Sequence, residues 1–282
     1  MRLGEATWRE VERRRAPDDD GTLAPVVLVP VGSTEQHGPH LPIATDTFVA
    51  EEIARRALGR TSGLVLGPTL TVTASGEHAG FAGTLSIGTE VMARVAIELC
   101  RSADWAAGIV FVNGHGGNHE ALTSAVDVVV AEGRRALSWW PRWRRRRDGG
   151  PPDLHAGRIE TSLMLAIDPG LVRLQTAARG PRTELDELVR ELRAHGVRHV
   201  SPNGVLGDPD GASGAEGERF IADFVADLVN AVERWRPVDD RPGGRTDGIA
   251  ASGDPPPPQP PAPTGPTSPD RRPTATHAVD ET

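Results

Sequence analysis

Glu35, His37, His40 and Asp46 place four metal-capable side chains inside twelve residues of the stretch P-V-G-S-T-E-Q-H-G-P-H-L-P-I-A-T-D, directly behind an apolar run. If residues 26–31 form a strand ending near Gly32, extended backbone continuing from it points Glu35 and His37, two apart, to one side. Asp46 follows a stiff turn between Pro39 and Pro42. Carboxylates mixed with imidazoles suit a borderline or hard divalent ion of the kind used in hydrolysis, whereas a structural zinc site calls for thiolates. The plainer account is a polar strand end running into a loop, with Asp46 capping the next helix. This stretch alone does not choose between them.

Three later segments bear on the choice. His115 lies in N-G-H-G-G-N after an apolar strand, where glycines on both sides leave room for a ligand; the competing account is a tight turn with its imidazole in water. Glu160 follows His155 by five residues across an H-A-G turn entering a helix, a place where a carboxylate is already favoured by the helix dipole. The functional reading is that Glu160 completes the coordination of a second ion while His155 exchanges protons with the substrate, whose leaving group needs one. His78, in the loop A-S-G-E-H-A-G-F-A-G-T-L-S-I-G, reads as a substrate contact. His119 reads as a solvent-facing helix start, and His195, His199 and His277 as surface residues. Cys100 sits on an apolar helix stripe and reads as a buried structural thiol.

The elements that must position these residues follow a repeating order. A helix is predicted over 5–15 with Trp8 and Val11 inward, then a strand over 26–31 whose unbroken apolar run suits burial on both faces of a parallel sheet. A helix over 47–58 carries Val49, Ile53 and Ala57 on one stripe and is ended by Gly59. Short strands are expected at 64–66 and 70–72, a helix at 89–102 with Val91, Val95 and Leu99 on its stripe, a strand at 109–112 and a helix at 119–131. A fourth strand at 135–140 precedes a basic loop at 143–152, whose Arg144 to Arg147 read as a solvated surface turn. A short helix from Glu160 is stopped by Pro169, and amphipathic helices at 183–195 and 216–235 flank a second glycine-rich loop. Strand, polar loop and helix recur, with the polar clusters at the C-terminal ends of strands, which is where open α/β sheets gather their sites. Beyond Pro237 aromatic residues vanish and proline, glycine, serine and threonine dominate. Such a stretch cannot bury enough surface to offset its ordering entropy, so the reading is one domain over 1–236 and a disordered Pro-rich tail over 237–282.

Composition narrows the chemistry. The net charge of -8 disfavours a nucleic-acid backbone as partner. All 31 basic residues are arginine and tyrosine is absent, which removes a Walker lysine, a Schiff base and a tyrosine acid. One cysteine makes no internal disulfide, and the lack of a signal segment or long apolar span points to a cytoplasmic protein with no membrane partner. No G-x-S-x-G elbow and no G-x-G-x-x-G after the first strand are present, against a serine hydrolase and a dinucleotide enzyme. A non-catalytic module holding a metal or nucleotide in the same crevice is the reading from another class.

The combination of E-Q-H-G-P-H-L-P, T-D, N-G-H-G-G-N and H-A-G-x-x-E-T-S-L-M-L resembles the creatininase family of metal-dependent amidohydrolases over about residues 3 to 236. The resemblance implies a three-layer α/β/α sandwich with a mostly parallel central sheet, two divalent ions (iron, zinc or manganese), and a homo-oligomer such as a hexamer. It also implies that Glu35 and His115 hold one ion, His37 the other, and Asp46 bridges them, so that water can attack a carbonyl the ions polarise. Creatinine-cleaving members carry a glutamate where this chain has Gly117, so the second ion's carboxylate is assigned to Glu160. Their tryptophan clamp is not evident, although Trp139 and Trp140 are available. The glycine-rich loop resembles most the branch that releases a C-terminal Val-Tyr dipeptide from a radical-SAM-modified precursor peptide of mycofactocin biosynthesis. Formamide deformylases and cyclic amidohydrolases of the same family are the alternative.

Overall fold

β1 (Val26–Val31) is the centre of the molecule, and all six of its residues are buried. Its β-branched side chains suit a pleated surface covered on both sides. The computed structural model describes residues 1–15, 24–141, 153–181 and 185–236. Within them α1 (Trp8–Arg15) precedes β1, followed by α2 (Thr45–Ala57), β2 (Leu64–Leu66), α3 (Thr89–Ser102), β3 (Gly108–Asn113), α4 (His119–Ala131), β4 (Ala136–Trp139), α5 (Arg158–Ile167), α6 (Leu185–His195), α7 (Val197–Val200) and α8 (Gly214–Trp235).

The strands pair in the order β2-β1-β3-β4, and every pairing is parallel. Pro30 sits inside β1 without loss to the ladder, because β2 pairs only as far as Leu28 and Leu66 and the Pro30 carbonyl still accepts from the Leu70 N–H at 2.9 Å. Helices cover both faces. One core packs Val26, Leu28, Val110 and Val112 against Val49 and Ile53 of α2, Leu163 of α5 and Ile221 and Leu228 of α8. The other packs Val27, Val29, Val31 and Phe111 against Met92 and Ala96 of α3 and Leu122 and Ala125 of α4. This is the parallel α/β sheet expected from the alternating pattern, in the sandwich arrangement that the family resemblance implies. From β1 the chain moves one way to β2 and the other way to β3, so the crevice of the sheet opens between the C-terminal ends of β1 and β3.

Several local expectations differ. No strand forms at 70–72; Leu70 makes one isolated parallel bridge to Val31 and the chain then bends away. Trp8 is 71% exposed, so its helix does not turn that ring inward. The buried stripe of α3 is Met92, Ala96 and Cys100, one residue along from the expected one, and Val91 is 49% exposed. α2 begins at Thr45, which puts Asp46 inside its first turn, and Gly59 is not among the left-handed glycines that close turns elsewhere. Residues 144–147, His277 and the segment 237–282 lie outside the described residues. Among the described residues no helix is long and apolar enough to cross a membrane.

Candidate active site

The segment leaving β1 carries Ser33, Glu35, Gln36, His37 and His40, all buried. The first turn of α2 then returns Asp46 beneath them. His115 arrives from the C-terminal end of β3, His78 from a 3₁₀ turn at Gly76–His78, and His155 with Glu160 from the entrance of α5. Four stretches far apart in sequence, around residues 33–46, 76–78, 115 and 155–160, therefore converge at the crevice.

Asp46 is the hinge of the arrangement. Its Oδ1 lies 3.0 Å from His37 Nε2, and its Oδ2 lies 3.2 Å from His115 Nδ1 while accepting from the Ser33 hydroxyl at 2.8 Å. One ligand-competent group is Glu35, Asp46 and His115; another is His37, His155 and Glu160; a third, overlapping both, is Glu35, His78 and His155. His37 Nδ1 donates to the Glu35 carbonyl at 3.1 Å, which commits Nε2 to the crevice, 3.9 Å from Glu160 Oε2. His155 Nε2 donates to the Gln36 carbonyl at 2.7 Å, leaving Nδ1 with its lone pair.

The electrostatics follow from burial. Burial raises Glu35 to about 8, with His115 opposing it, and raises Glu160 to about 7. Burial disfavours the charged form of His37, but the carboxylates of Asp46, Glu160 and Glu35 outweigh it and hold the ring at about 10. His115 is likewise driven well above its ordinary value against burial, by Glu35 and Asp46 foremost, and Asp46 well below its own by the two imidazoles. His155 and His78 go the other way, chiefly through burial: His155 well below its ordinary value and His78 to about 3. Both are neutral imidazoles. The two Glu35 oxygens are buried and accept no well-aligned hydrogen bond, although His78 Nε2 and His115 Nε2 stand 3.2 and 3.1 Å away. A buried carboxylate left in that state calls for a cation, and the donor set of two carboxylates and an imidazole around it fits a divalent metal.

Above these groups lies a cavity of about 300 Å³. Its floor presents Asp46, Glu77, His78, His115, His155 and Glu160, and its rim is apolar: Trp140, Pro141, Leu154, Leu192, Val197 and Leu206. Polar groups converging under an apolar rim are the usual form of a small-ligand site.

The family model described as "Creatininase: Creatinine amidohydrolase" matches residues 4–232. The chain belongs to the creatininase family. Among curated relatives, the mycofactocin precursor peptide peptidase of Mycobacterium tuberculosis is 46% identical over 229 residues, covering 78% of this chain and 89% of that protein. The protein of the same description from Mycolicibacterium smegmatis is 45% identical over 241 residues, 83% and 92% of the two chains. Creatinine amidohydrolase of Pseudomonas putida is 29% identical over 262 residues, 83% of this chain and 97% of that one. Of solved structures, a creatinine amidohydrolase (creatininase) superposes with a TM-score of 0.66 at 23% identity, over 84% of this chain and 98% of the other. The structure described as "Creatininase Mn" gives 0.64 at 25% identity, over 84% and 99% of the two chains. This chain is therefore a hydrolase of the creatininase family, with the sandwich fold of its creatininase neighbours.

The seven residues given a site role from the sequence, Glu35, His37, Asp46, His78, His115, His155 and Glu160, are brought to this crevice, whereas His40, the other metal-capable residue of the opening stretch, pairs its Nε2 with the Thr161 hydroxyl at 2.9 Å. His78 lines the cavity, but its ring is fixed between Gln36 Nε2, which donates to its Nδ1 at 2.9 Å, and Glu35. His119 is not solvent-facing: it is half-buried and stacks on Trp140 with ring centroids 5.1 Å apart, because α4 and the end of β4 emerge at the same rim. Trp139 and Trp140 do not act together, since successive strand residues face opposite ways; Trp139 is buried and donates its Nε1–H to Asp227 at 2.8 Å, and only Trp140 reaches the cavity. His195 and His199 are exposed, as expected, yet not isolated: their centroids are 4.7 Å apart and His195 lies 3.8 Å from Glu191.

Sequence reasoning passed over Gln36, whose amide also donates to the Gly204 carbonyl and so ties the strand end to the loop behind it. It also passed over Glu77, which reaches His115 from the glycine-rich loop. Their neighbours in sequence, His37 and His78, were the visible signals.

Proposed function

We propose that this chain is a dinuclear metal-dependent C–N hydrolase that releases a C-terminal dipeptide, Val-Tyr, from a small modified precursor peptide. The observation that carries the dinuclear part is the position of Asp46, with one carboxylate oxygen against His37 and the other against His115. On this reading Glu35, Asp46 and His115 hold one ion, His37, Asp46 and Glu160 hold the other, and iron, zinc and manganese all suit the donor set. When bound, the pair of ions activates water and polarises the scissile carbonyl.

The chain's own residues do the rest. The apolar rim takes the side chains flanking the scissile bond and sheds water from them. His155, neutral and with a lone pair on Nδ1, is the group that accepts a proton in the crevice and returns it to the leaving amine. Glu160 accepts the Ala156 N–H at 2.6 Å, which holds its carboxyl group beside His37 and on the same proton path. The choice of peptide as substrate is supported by relatives at 45–47% identity described as mycofactocin precursor peptide peptidases. A cytoplasmic homo-oligomer belongs to the same reading.

The test is incubation of the metal-loaded enzyme with the radical-SAM-modified precursor, followed by mass spectrometry. Loss of Val-Tyr supports the proposal. An intact peptide beside a hydrolysed formamide or cyclic amide reassigns the substrate, and tight nucleotide binding with no metal removes the hydrolase reading of the site.

A further inference from the structure

Gly117 faces a crowded point of the crevice. A Cβ built on it would overlap Glu77 Oε1 and His115 Nε2 and would stand 2.6 Å from the Ala74 carbonyl oxygen. The three atoms that occupy this space are also in contact with each other: His115 Nε2 lies 2.9 Å from the Ala74 oxygen and 3.3 Å from Glu77 Oε1. The bare Cα of Gly117 is what lets an imidazole edge, a carbonyl and a carboxylate meet there.

That meeting decides which nitrogen of His115 keeps its proton when metal enters. A backbone carbonyl can only accept, so at 2.9 Å it requires a hydrogen on Nε2. Glu35 Oε2 is 3.1 Å from the same nitrogen but accepts no aligned hydrogen bond. With Nε2 committed to the Ala74 carbonyl, Nδ1 is the nitrogen that faces Asp46 Oδ2, at 3.2 Å, and the one that becomes a ligating atom when its own proton leaves on metal binding. Histidines that bind metals are commonly held by a carbonyl or carboxylate on their other nitrogen, which sets ring orientation and raises the basicity of the ligating atom.

We propose that Glu77 is a positioning residue: together with the Ala74 carbonyl, and in the space kept open by Gly117, it fixes His115 so that Nδ1 is presented to the ion shared with Glu35 and Asp46. This rests on the dinuclear reading above. Glu77 is not grouped with Glu35, Asp46 and His115 as a co-ligand, since its oxygens do not come close enough to all three. Its side chain is 36% exposed and opens on the cavity, and the turn that carries it is braced from outside, where Gly196 packs against the Glu77 carbonyl with no room for an ordinary side chain. Glu77 therefore links the wall made by α6 and α7 to the imidazole in the floor.

The experiment compares the full chain with Glu77→Gln and Glu77→Ala by titration with cobalt(II), read by calorimetry and by the visible d–d spectrum. In the unaltered protein two ions bind. In Glu77→Ala one site is expected to weaken by about 10–100-fold while the other keeps its affinity, and the spectrum of the weakened site shifts. Glu77→Gln, which keeps the size and an acceptor oxygen without the charge, recovers part of the affinity; full recovery of both affinity and spectrum in Glu77→Gln would reduce Glu77 to a space-filling residue and overturn the inference. Two ions bound with unchanged affinity and spectrum in Glu77→Ala overturn the inference and leave the dinuclear reading intact. No ion in the unaltered protein overturns both.

Discussion

His37 turns its Nδ1 back onto the carbonyl of Glu35, two residues earlier, at 3.1 Å. The strand end thereby orients its own imidazole: with Nδ1 donating, Nε2 points at Asp46 and Glu160. Replacement of His37 by Ala should reduce bound metal from two ions to one per chain, with turnover lowered by at least about a hundredfold, since loss of even an outer partner costs that order. Asp46→Asn, by contrast, should reduce both sites. Elemental analysis after gel filtration reads the difference, and two ions retained in His37→Ala would remove His37 from the ligand set.

His155 is predicted to act on protons. In His155→Gln the metal content should stay at the unaltered value while kcat falls by about 10²–10⁴-fold, the usual worth of a positioned acid or base. A loss of one ion instead would make His155 a ligand, as its grouping with His37 and Glu160 allows.

The metal-free protein should lose stability as the medium becomes alkaline. A group whose folded value stands above its ordinary one stabilises the fold below the ordinary value and loses that contribution as pH rises through the folded one. Glu35, moved from 4.5 to about 8, Glu160, from 4.5 to about 7, and His37, from 6.5 to about 10, all have this sign. The windows of Glu35 and His37 overlap between pH 6.5 and about 8, with that of Glu160 ending at about 7, so the thermal midpoint of the metal-free chain should fall across that range and flatten when metal is added. A midpoint that rises across the same range without metal would contradict it.

The same protons must leave when metal enters. Near neutral pH His37 and Glu35 are protonated in the metal-free protein, so binding should release protons and the apparent affinity should increase with pH. Calorimetry in two buffers of different ionisation enthalpy counts the protons released; a count of zero would mean that the cluster is already deprotonated.

The sheet that carries the site has its own test. Phe111 is fully buried in the layer beneath α3 and α4. Phe111→Ala should destabilise the fold by about 3–5 kcal/mol in denaturant titration. A cost below about 1 kcal/mol would mean that the cavity collapses freely.

Much of this was legible in sequence for a local reason. The unbroken apolar runs at 26–31 and 109–112 suit strands covered on both sides, and the stripe of Val49, Ile53 and Ala57 named the buried face of α2 correctly. Period alone did not separate neighbouring stripes on α3, where Met92, Ala96 and Cys100 lie inward and Val91 faces out. Nor could it show that Leu70 makes one bridge and no strand, since strand formation there depends on β2 having already ended at Leu66.

For the site, the sequence by itself determined the residue types: carboxylates and imidazoles gathered at the ends of apolar strands, in motifs that mark the creatininase family. Only the tertiary structure decided their geometry. The side of Asp46 that meets each histidine, the tautomers imposed by the Glu35, Gln36 and Ala74 carbonyls, and the approach of Glu77 over Gly117 all depend on how backbone groups from separate segments are brought together. A carbonyl has no side chain to announce it in sequence, and its direction is set only when the sheet and its loops have closed around the crevice.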